Sequence, residues 1–481
     1  MLSFSAKAQY KQILFKTYGV SGPSSEGEDI IELPGGNLLI ATTQSFPLGG
    51  GAFQADIVLI KTLENGDTLL TRRYGSATSR EYVESMKLLP DGRLLLAGWV
   101  SDIGIDNADA LLVMYDTSGH ELWHKRYGSA ADEFANAVES IPGGFLVGGV
   151  TYNNNVGEGD AWLLRLNQQG DSLWSKSFGG LLYDDCWDVC YTEDDHLLLT
   201  GGTYSYASGS LDDAWIIKVD TFGTQVWQKE FGLPNRVDWS WSITPVRKDG
   251  LITGYAFVGI KDTEEAPPGA GFGDLHFVRT DKSGNLVWDK SISQPGGYRL
   301  EGRDIKQTPD GGFLIGGYSL NPGVNGTQYY VVKTDSLGDK VWDTAIGQSL
   351  QAHIVKNLYP TQDDGFVITG SQSTPTPTQL AFMARFRHQP SIVPASNLLD
   401  FSLYPNPSTG SFLIEGRLNN PGPLTITLME LNGRVLLQQN RESVAGSFRF
   451  EVQVPPATPA GVYQLSLQTP EGRISRKLVV E

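Results

Sequence analysis

The chain has 481 residues and a mass of 52.4 kDa, enough for two domains with substantial cores. Its formal net charge is −17 at pH 7. Such a surface repels nucleic acid and anionic lipid, so neither is expected as a partner. No run approaches the ~18 apolar residues of a membrane-spanning helix, so no span is expected.

The first residues, MLSFSAKAQ, carry Ala6-Lys7-Ala8 before Gln9, like the end of an export signal. Residues 1–8 are therefore expected to be a signal-peptide remnant, with the start of the natural chain upstream.

From residue 9 to 387 one pattern recurs. A Trp near the end of each unit stands at 123, 174, 227, 288 and 342. Leu14 and Leu70 occupy the equivalent places in QILFKTYG and TLLTRRYG. A fixed period means stacked units, none of which can bury its apolar face alone. Each unit holds four short runs rich in Leu, Val, Ile and aromatic residues, the pattern of strands. In the third unit these are EFANAVESI, FLVGGVT, DAWLLRL and DSLWSKSFG. Turns such as Pro90-Asp91-Gly92 and Pro309-Asp310-Gly311 join the first two runs, and Asp-Gly between apolar runs predicts a hairpin. Asp220 to Gly223, Asp281 to Gly284 and Asp335 to Gly338 join the last two, with Asp first and Gly fourth.

Four strands per unit at this period predict an all-β, seven-bladed β-propeller over residues 9–387. The isolated run Lys11 to Gly19 is expected to supply the fourth strand that the last unit lacks, closing the ring. The pattern is similar to kelch blades through its Gly-Gly and to quinoprotein blades through its Asp-x-x-Gly-x-x-x-Trp hairpin. Both likenesses concern blade structure, and neither implies a substrate.

Residues 388–400 read as a linker. Seven short alternating runs follow within residues 401–481, predicting a small Ig-like β-sandwich. Tyr404-Pro405-Asn406-Pro407, with Gly410 after it, opens this segment; LMELNGRVLL and AGVYQLSLQTPEGRISRKLVVE follow. The segment resembles the type A sorting domain of the type IX secretion system. The resemblance implies that Tyr404, Pro405, Asn406, Pro407, Gly410, Gly461, Tyr463, Gly472 and Lys477 carry the sorting signal. It also implies type IX machinery as a partner and release or anchoring at the outer cell surface.

Repeated residues serve the repeat, so function is expected where the copies differ. The loops between second and third strands and between units are long and variable, and a rigid scaffold presents its sites on such loops. Aromatic and acidic residues gather there: Tyr152, Asp184, Asp185, Trp187, Tyr204, Tyr206, Trp239 and Tyr298. Aromatic platforms beside carboxylates suit carbohydrate. For Trp187, Trp239 and Trp241, packing between units is the competing reading. The recurring Asp56, Asp109, Asp160, Asp213 and Asp274 are expected to hold loops. The recurring cations Lys61, Arg165, Lys218, Arg279, Lys333 and Arg385 are expected to bond between units.

Calcium at Asp102, Asp106, Asn107 and Asp109 is a sharper alternative, but the spacing matches no calcium loop. No metal or other cofactor is expected. Cys186 and Cys190 lie too far apart along one strand to bridge. The six histidines show no metal-ligand spacing, and HExxH, GxSxG and phosphate-loop motifs are absent. The sequence therefore predicts a non-catalytic module that binds glycan or a surface protein. The alternative is a polysaccharide-active hydrolase or lyase with its site on the same loop face.

Overall fold

The computed structural model describes residues 9–481 except 20–23, 50–51, 106, 154–157, 193, 210, 263–272, 295–298, 321–325, 347–351, 364, 375–377, 390–397, 419–421, 431–433, 445, 457 and 470–471. The expected signal remnant lies outside the described residues. Gln12–Arg387 forms one compact unit, and a second contains His388–Glu481. Among the described residues no helix is long and apolar enough to cross a membrane.

The first unit is a propeller-like repeat of four-stranded antiparallel sheets, seven among the described residues. Their first strands are Ser24–Glu32, Ser79–Leu88, Glu133–Ile141, Asp188–Tyr191, Asp238–Lys248, Arg299–Gln307 and His353–Pro360. We number the sheets 1 to 7 in that order. Sheets 1 to 6 run in chain order. In sheet 7 the fourth strand is Gln9–Tyr18, paired with Gln379–Gln389. Each sheet packs on the next, and sheet 7 packs on sheet 1. The second and third strands are the most buried, and apolar clusters fill the spaces between sheets.

Repeated residues form a latch between sheets. The Asp-x-x-Gly turn closes with Gly223 N–H donating to Asp220 O at 2.9 Å, while Asp220 Oδ1 accepts from Phe222 N and Thr224 N. Gly170, Gly223, Gly284 and Gly338 have φ of 74 to 79°, which a residue with a Cβ adopts only at a cost. Each also carries the fourth-strand indole of the preceding sheet. A Cβ at these glycines would lie 2.9, 3.1, 2.9 and 2.8 Å from Trp123, Trp174, Trp227 and Trp288. At Gly66 of sheet 1 the neighbours are Leu14 and Lys16 of sheet 7. At three junctions a lysine two places after the Trp, or after Leu14, adds a polar clasp: Lys125–Asp171 at 2.6 Å, Lys290–Asp339 at 2.5 Å and Lys16–Asp67 at 2.5 Å.

A second repeated pair lies within each of sheets 1 to 4. A Cβ on Gly75, Gly128, Gly179 or Gly232 would collide with the carboxyl of Asp56, Asp109, Asp160 or Asp213 respectively. The Asp that opens the third strand thus requires the Gly that ends the fourth.

Two expectations change. Residues 45–49 and 52–55, in one of the connections between second and third strands expected to be loops, instead extend the hairpin Leu38–Gly49/Ala52–Thr62, with Phe46 opposite Gln54. The recurring cations mostly bond within their own sheets. Arg165 donates to Pro142 O (2.7 Å), Lys218 pairs with Asp194 (2.8 Å), and Lys333 pairs with Asp310 (3.0 Å). Their stems reach back to the first turn, and two also bond across a junction: Lys218 donates to the Tyr255 hydroxyl of sheet 5 (3.2 Å), and Arg385 approaches Glu32 and Glu64 of sheet 1.

The second unit holds seven strands in a three-stranded and a four-stranded sheet, β-sandwich fashion around one core of Phe412, Ile414, Ile426, Leu465, Leu478 and their neighbours. Tyr404, Pro405, Asn406 and Pro407 leave its first strand, Leu398–Tyr404. Asn406 is tied to the last strand at both ends of its amide: Nδ2 donates to Lys477 O (2.9 Å) and Oδ1 accepts from Val479 N (2.8 Å). Gly461 pairs with Val480, Tyr463 with Leu478, and Gly472 opens that last strand. Tyr463 Oη donates to Pro459 O at 2.6 Å. Gly410 has φ 152° and donates to Ser408 Oγ. The opening motif and the C-terminal landmarks therefore meet in one place.

Candidate functional site

A cavity of about 420 Å³ is lined by the first strands of all seven sheets. Six of these strands carry an irregularity at one common position, between Gly27/Asp29, Val83/Ser85, Ala135/Ala137, Ser240/Ser242, Gly302/Asp304 and Val355/Asn357. In sheet 4 the strand proper begins just after the same place, at Asp188. A bulge leaves one residue unpaired and re-aims its side chain. The residues so placed are Glu28, Glu84, Asn136, Trp187, Trp241, Arg303 and Lys356, and all seven line the cavity. This position differs from sheet to sheet, unlike the latch.

The next residue laces the wall together. Asp29 Oδ2 accepts from Met86 N at 2.7 Å, Ser85 Oγ from Val138 N at 3.4 Å, Asp188 Oδ2 from Ile243 N at 3.0 Å, and Asp304 Oδ2 from Leu358 N at 2.9 Å. Each bond joins one sheet to the following one. Ser242 Oγ bridges Asp188 and Asp304. Lower in the wall Lys87 pairs with Glu139 (2.7 Å) and Lys306 with Asp304 (2.6 Å).

The two sides of the cavity differ. On sheets 7, 1 and 2, Lys356 pairs with Glu28 at 3.1 Å, and Glu84 lies within their field. Glu28 holds the Lys356 ammonium above its ordinary range. Burial, reinforced by the charge on Glu28, pushes the Glu84 carboxyl up to about 7. Burial also pushes Asp29 up to about 7 and Asp188 up to about 6, against the backbone N–H groups and the Lys306 charge that favour ionisation. On sheets 4 to 6 the wall is aromatic. The Trp187 and Trp241 rings lie 4.5 Å apart, Trp239 lies 5.8 Å from Trp241, and the Arg303 guanidinium sits 3.7 Å over Trp241. Glu301 holds Arg303 there at 2.8 Å. An aromatic chain continues past the starts of the first strands: Tyr82 on Trp99 (3.8 Å), Trp99 on Phe134 (5.3 Å), Phe134 on Tyr152 (6.2 Å) and Tyr152 on Tyr183 (6.4 Å).

Of the expected ligand-binding residues, Trp187 lines the cavity and Trp239 packs on Trp241 at its edge. Tyr152 is exposed in the aromatic chain. Asp185, pushed up to about 7 by burial, accepts from Gly202 N (2.6 Å) and from the Trp187 indole (2.9 Å), so it positions that ring. Asp184 is buried and bonded to Gly180 N, Ser205 N and the Thr203 hydroxyl, which fixes the crossing between sheets 3 and 4. Tyr204 is half-buried, its N–H donating to Tyr183 O. Tyr206 is exposed, with its hydroxyl on Gly179 O and its ring 5.7 Å from Trp215. Tyr298 lies outside the described residues. Sequence reasoning misses Glu28, Glu84, Asn136, Arg303 and Lys356. Aligning first strands on the small residue before and the aliphatic residue two after exposes them as one variable column.

Among the described residues no group of three His, Cys, Asp or Glu is arranged to hold a metal ion. Asp102 is paired with Arg126 at 3.2 Å, Asn107 approaches Asp109 at 3.5 Å, and Asp106 lies outside the described residues. Cys186 and Cys190 are free, buried thiols that burial pushes up.

Residues 402–481 match a family model described as secretion system C-terminal sorting domain. The protein is thus exported by the type IX machinery, which its C-terminal unit engages, and is secreted or attached at the outer cell surface. No curated protein matches the chain. Similar solved structures include a protein of unknown function from Dyadobacter fermentans, 10% identical with a TM-score of 0.41, covering 79% of this chain and 99% of its own. The core factor of S. cerevisiae is 9% identical with a TM-score of 0.39, covering 82% of this chain and 63% of its own. A Synechocystis apocarotenoid oxygenase is 11% identical with a TM-score of 0.29, covering 69% and 62%.

Proposed function

We propose that residues 9–387 form a closed seven-bladed propeller that binds a glycan, without catalysis, at the mouth of the channel along its axis. The observation that carries this reading is the cavity lined by all seven first strands, whose one variable column is aromatic on one side and charged on the other. Half-buried Trp187 and Trp241 offer faces on which sugar rings stack, and Glu28, Glu84, Asn136 and Arg303 offer hydroxyl partners. Residues 401–481, an Ig-like sandwich, carry the protein to the cell surface, where such a ligand is met.

A glycan array on the full chain tests the reading, with Trp187→Ala as control. Binding of one glycan class that the control loses supports it; silence across the array sinks it. A second reading, a polysaccharide hydrolase or lyase, draws on one observation: Glu84 near 7 beside ion-paired Glu28 resembles a tuned acid with its partner. Product formation in a depolymerisation screen, lost in Glu84→Gln, would replace binding with catalysis.

A further inference from the structure

At the junction of sheets 1 and 2 the turn glycine is left uncovered. Leu70, in the fourth strand of sheet 1 (Thr68–Tyr74), stands where four other sheets place Trp123, Trp174, Trp227 and Trp288. Those indoles cover the turn glycine of the next sheet. At the matching glycine of sheet 2, Gly119 with φ 79°, no atom would meet an added Cβ within 4 Å. A cavity of about 90 Å³ opens there between sheets 1 and 2, walled by Leu33, Leu39, Leu59, Leu88, Leu94 and Tyr115. Leucine is smaller than tryptophan, and the surrounding strands have not closed over the difference. An apolar hollow of this kind takes up a small aromatic molecule in preference to water.

The polar half of the latch is altered at the same place. Where three other junctions set a lysine against an aspartate, sheet 1 has Arg72 and sheet 2 has His120. His120 is turned to Asp116 at 3.3 Å. Lys61 belongs to the recurring cations, yet its first turn, Pro34-Gly35-Gly36-Asn37, holds no acid. Lys61 and Arg72 both line the cavity, and among the described residues neither has a hydrogen-bond or ion-pair partner. The one acid in the lining, Asp116, is engaged by its own turn, with Ser118 N and His120 N each at 2.8 Å.

We propose that this gap is a binding site for a small planar aromatic acid. The ring takes the place of the absent indole against Gly119, and the carboxylate lies between Lys61 and Arg72. Four copies of the repeat show which shape fills the space, and two unpaired cations set the charge.

The test titrates the full chain with indole-3-acetate, indole and tryptamine, read by calorimetry and ligand-observed magnetic resonance. Indole-3-acetate is expected to bind at least tenfold more tightly than indole, with tryptamine weakest. Leu70→Trp, which refills the gap, should abolish binding and raise the unfolding midpoint. Arg72→Glu, a change at an exposed position, should erase the preference for the acid and keeps the test decisive if Leu70→Trp fails to fold. Trp187→Ala should leave this binding unchanged, separating it from the channel. No uptake of indole-3-acetate at millimolar concentration, equal affinity for acid and amine, or binding that survives both Leu70→Trp and Arg72→Glu would overturn the proposal.

Discussion

The latch and the cavity wall are built from the same sheets and obey opposite rules. On the latch the same contacts recur from sheet to sheet: Trp on turn glycine at four junctions, lysine on aspartate at three, Asp against Gly in sheets 1 to 4. In the cavity wall the backbone repeats, bulge for bulge, while the side chain it presents changes from Glu to Asn to Trp to Arg to Lys. A position that faces an identical neighbour in every copy is constrained by packing. One that faces a common space is constrained by whatever enters that space. The lesson is that sameness among repeats marks stability and difference marks recognition.

Four experiments would break or sharpen this contrast. The largest effect is expected from Trp227→Ala. It removes an indole lying on Gly284 of the next sheet, should cost about 3 kcal/mol in urea unfolding, and should leave ligand affinity intact. Gly232→Ala comes next: its methyl meets the Asp213 carboxyl, and overpacking there should cost about 2 kcal/mol in the same assay. A smaller change in free energy, read in a different quantity, should follow Trp241→Ala. It strips the stacking face between Trp187 and Arg303, so glycan affinity should fall roughly tenfold, about 1.4 kcal/mol, with unfolding moved less than for Trp227→Ala. If Trp227→Ala weakened binding while Trp241→Ala only unfolded the protein, the contrast would be wrong.

The smallest effect is expected from pH. Asp29 and Glu84 stand near 7 and Asp188 near 6, all above their ordinary range because burial disfavours the charge. The folded chain therefore holds these protons more tightly than the unfolded chain does. Their contribution to stability is full below the unfolded values near 4 and is lost as pH rises through about 6 to 7. The thermal midpoint of the propeller-like unit should be higher at pH 5 than at pH 8. Glu84→Gln, which stays neutral throughout, should shrink that difference.

Much of the architecture was legible in the chain. The Trp period, the Asp-x-x-Gly turns and the Asp-Gly hairpins mark units of four strands, because turn chemistry and apolar alternation act within a few residues. The sorting segment was legible for a similar reason, since Tyr404 to Pro407 and the Gly461 to Glu481 stretch keep a fixed order. Their meeting through the Asn406 amide and the last strand was not. Asp184 and Asp185 looked like ligand groups because acids beside aromatics look alike in one dimension; their hydrogen bonds to the sheet crossing and to Trp187 appear only in three.

What the sequence determined by itself was the local grammar: strand, turn, repeat and the address at the C-terminus. Only the tertiary structure decided which residues share a space. Glu28 and Lys356 are more than 300 positions apart and ion-paired at 3.1 Å, and Leu70 leaves a hole whose other wall is Gly119. A hydrogen-bonded turn needs only neighbours along the chain. A cavity needs every sheet around it in place before any one of its residues acquires a partner.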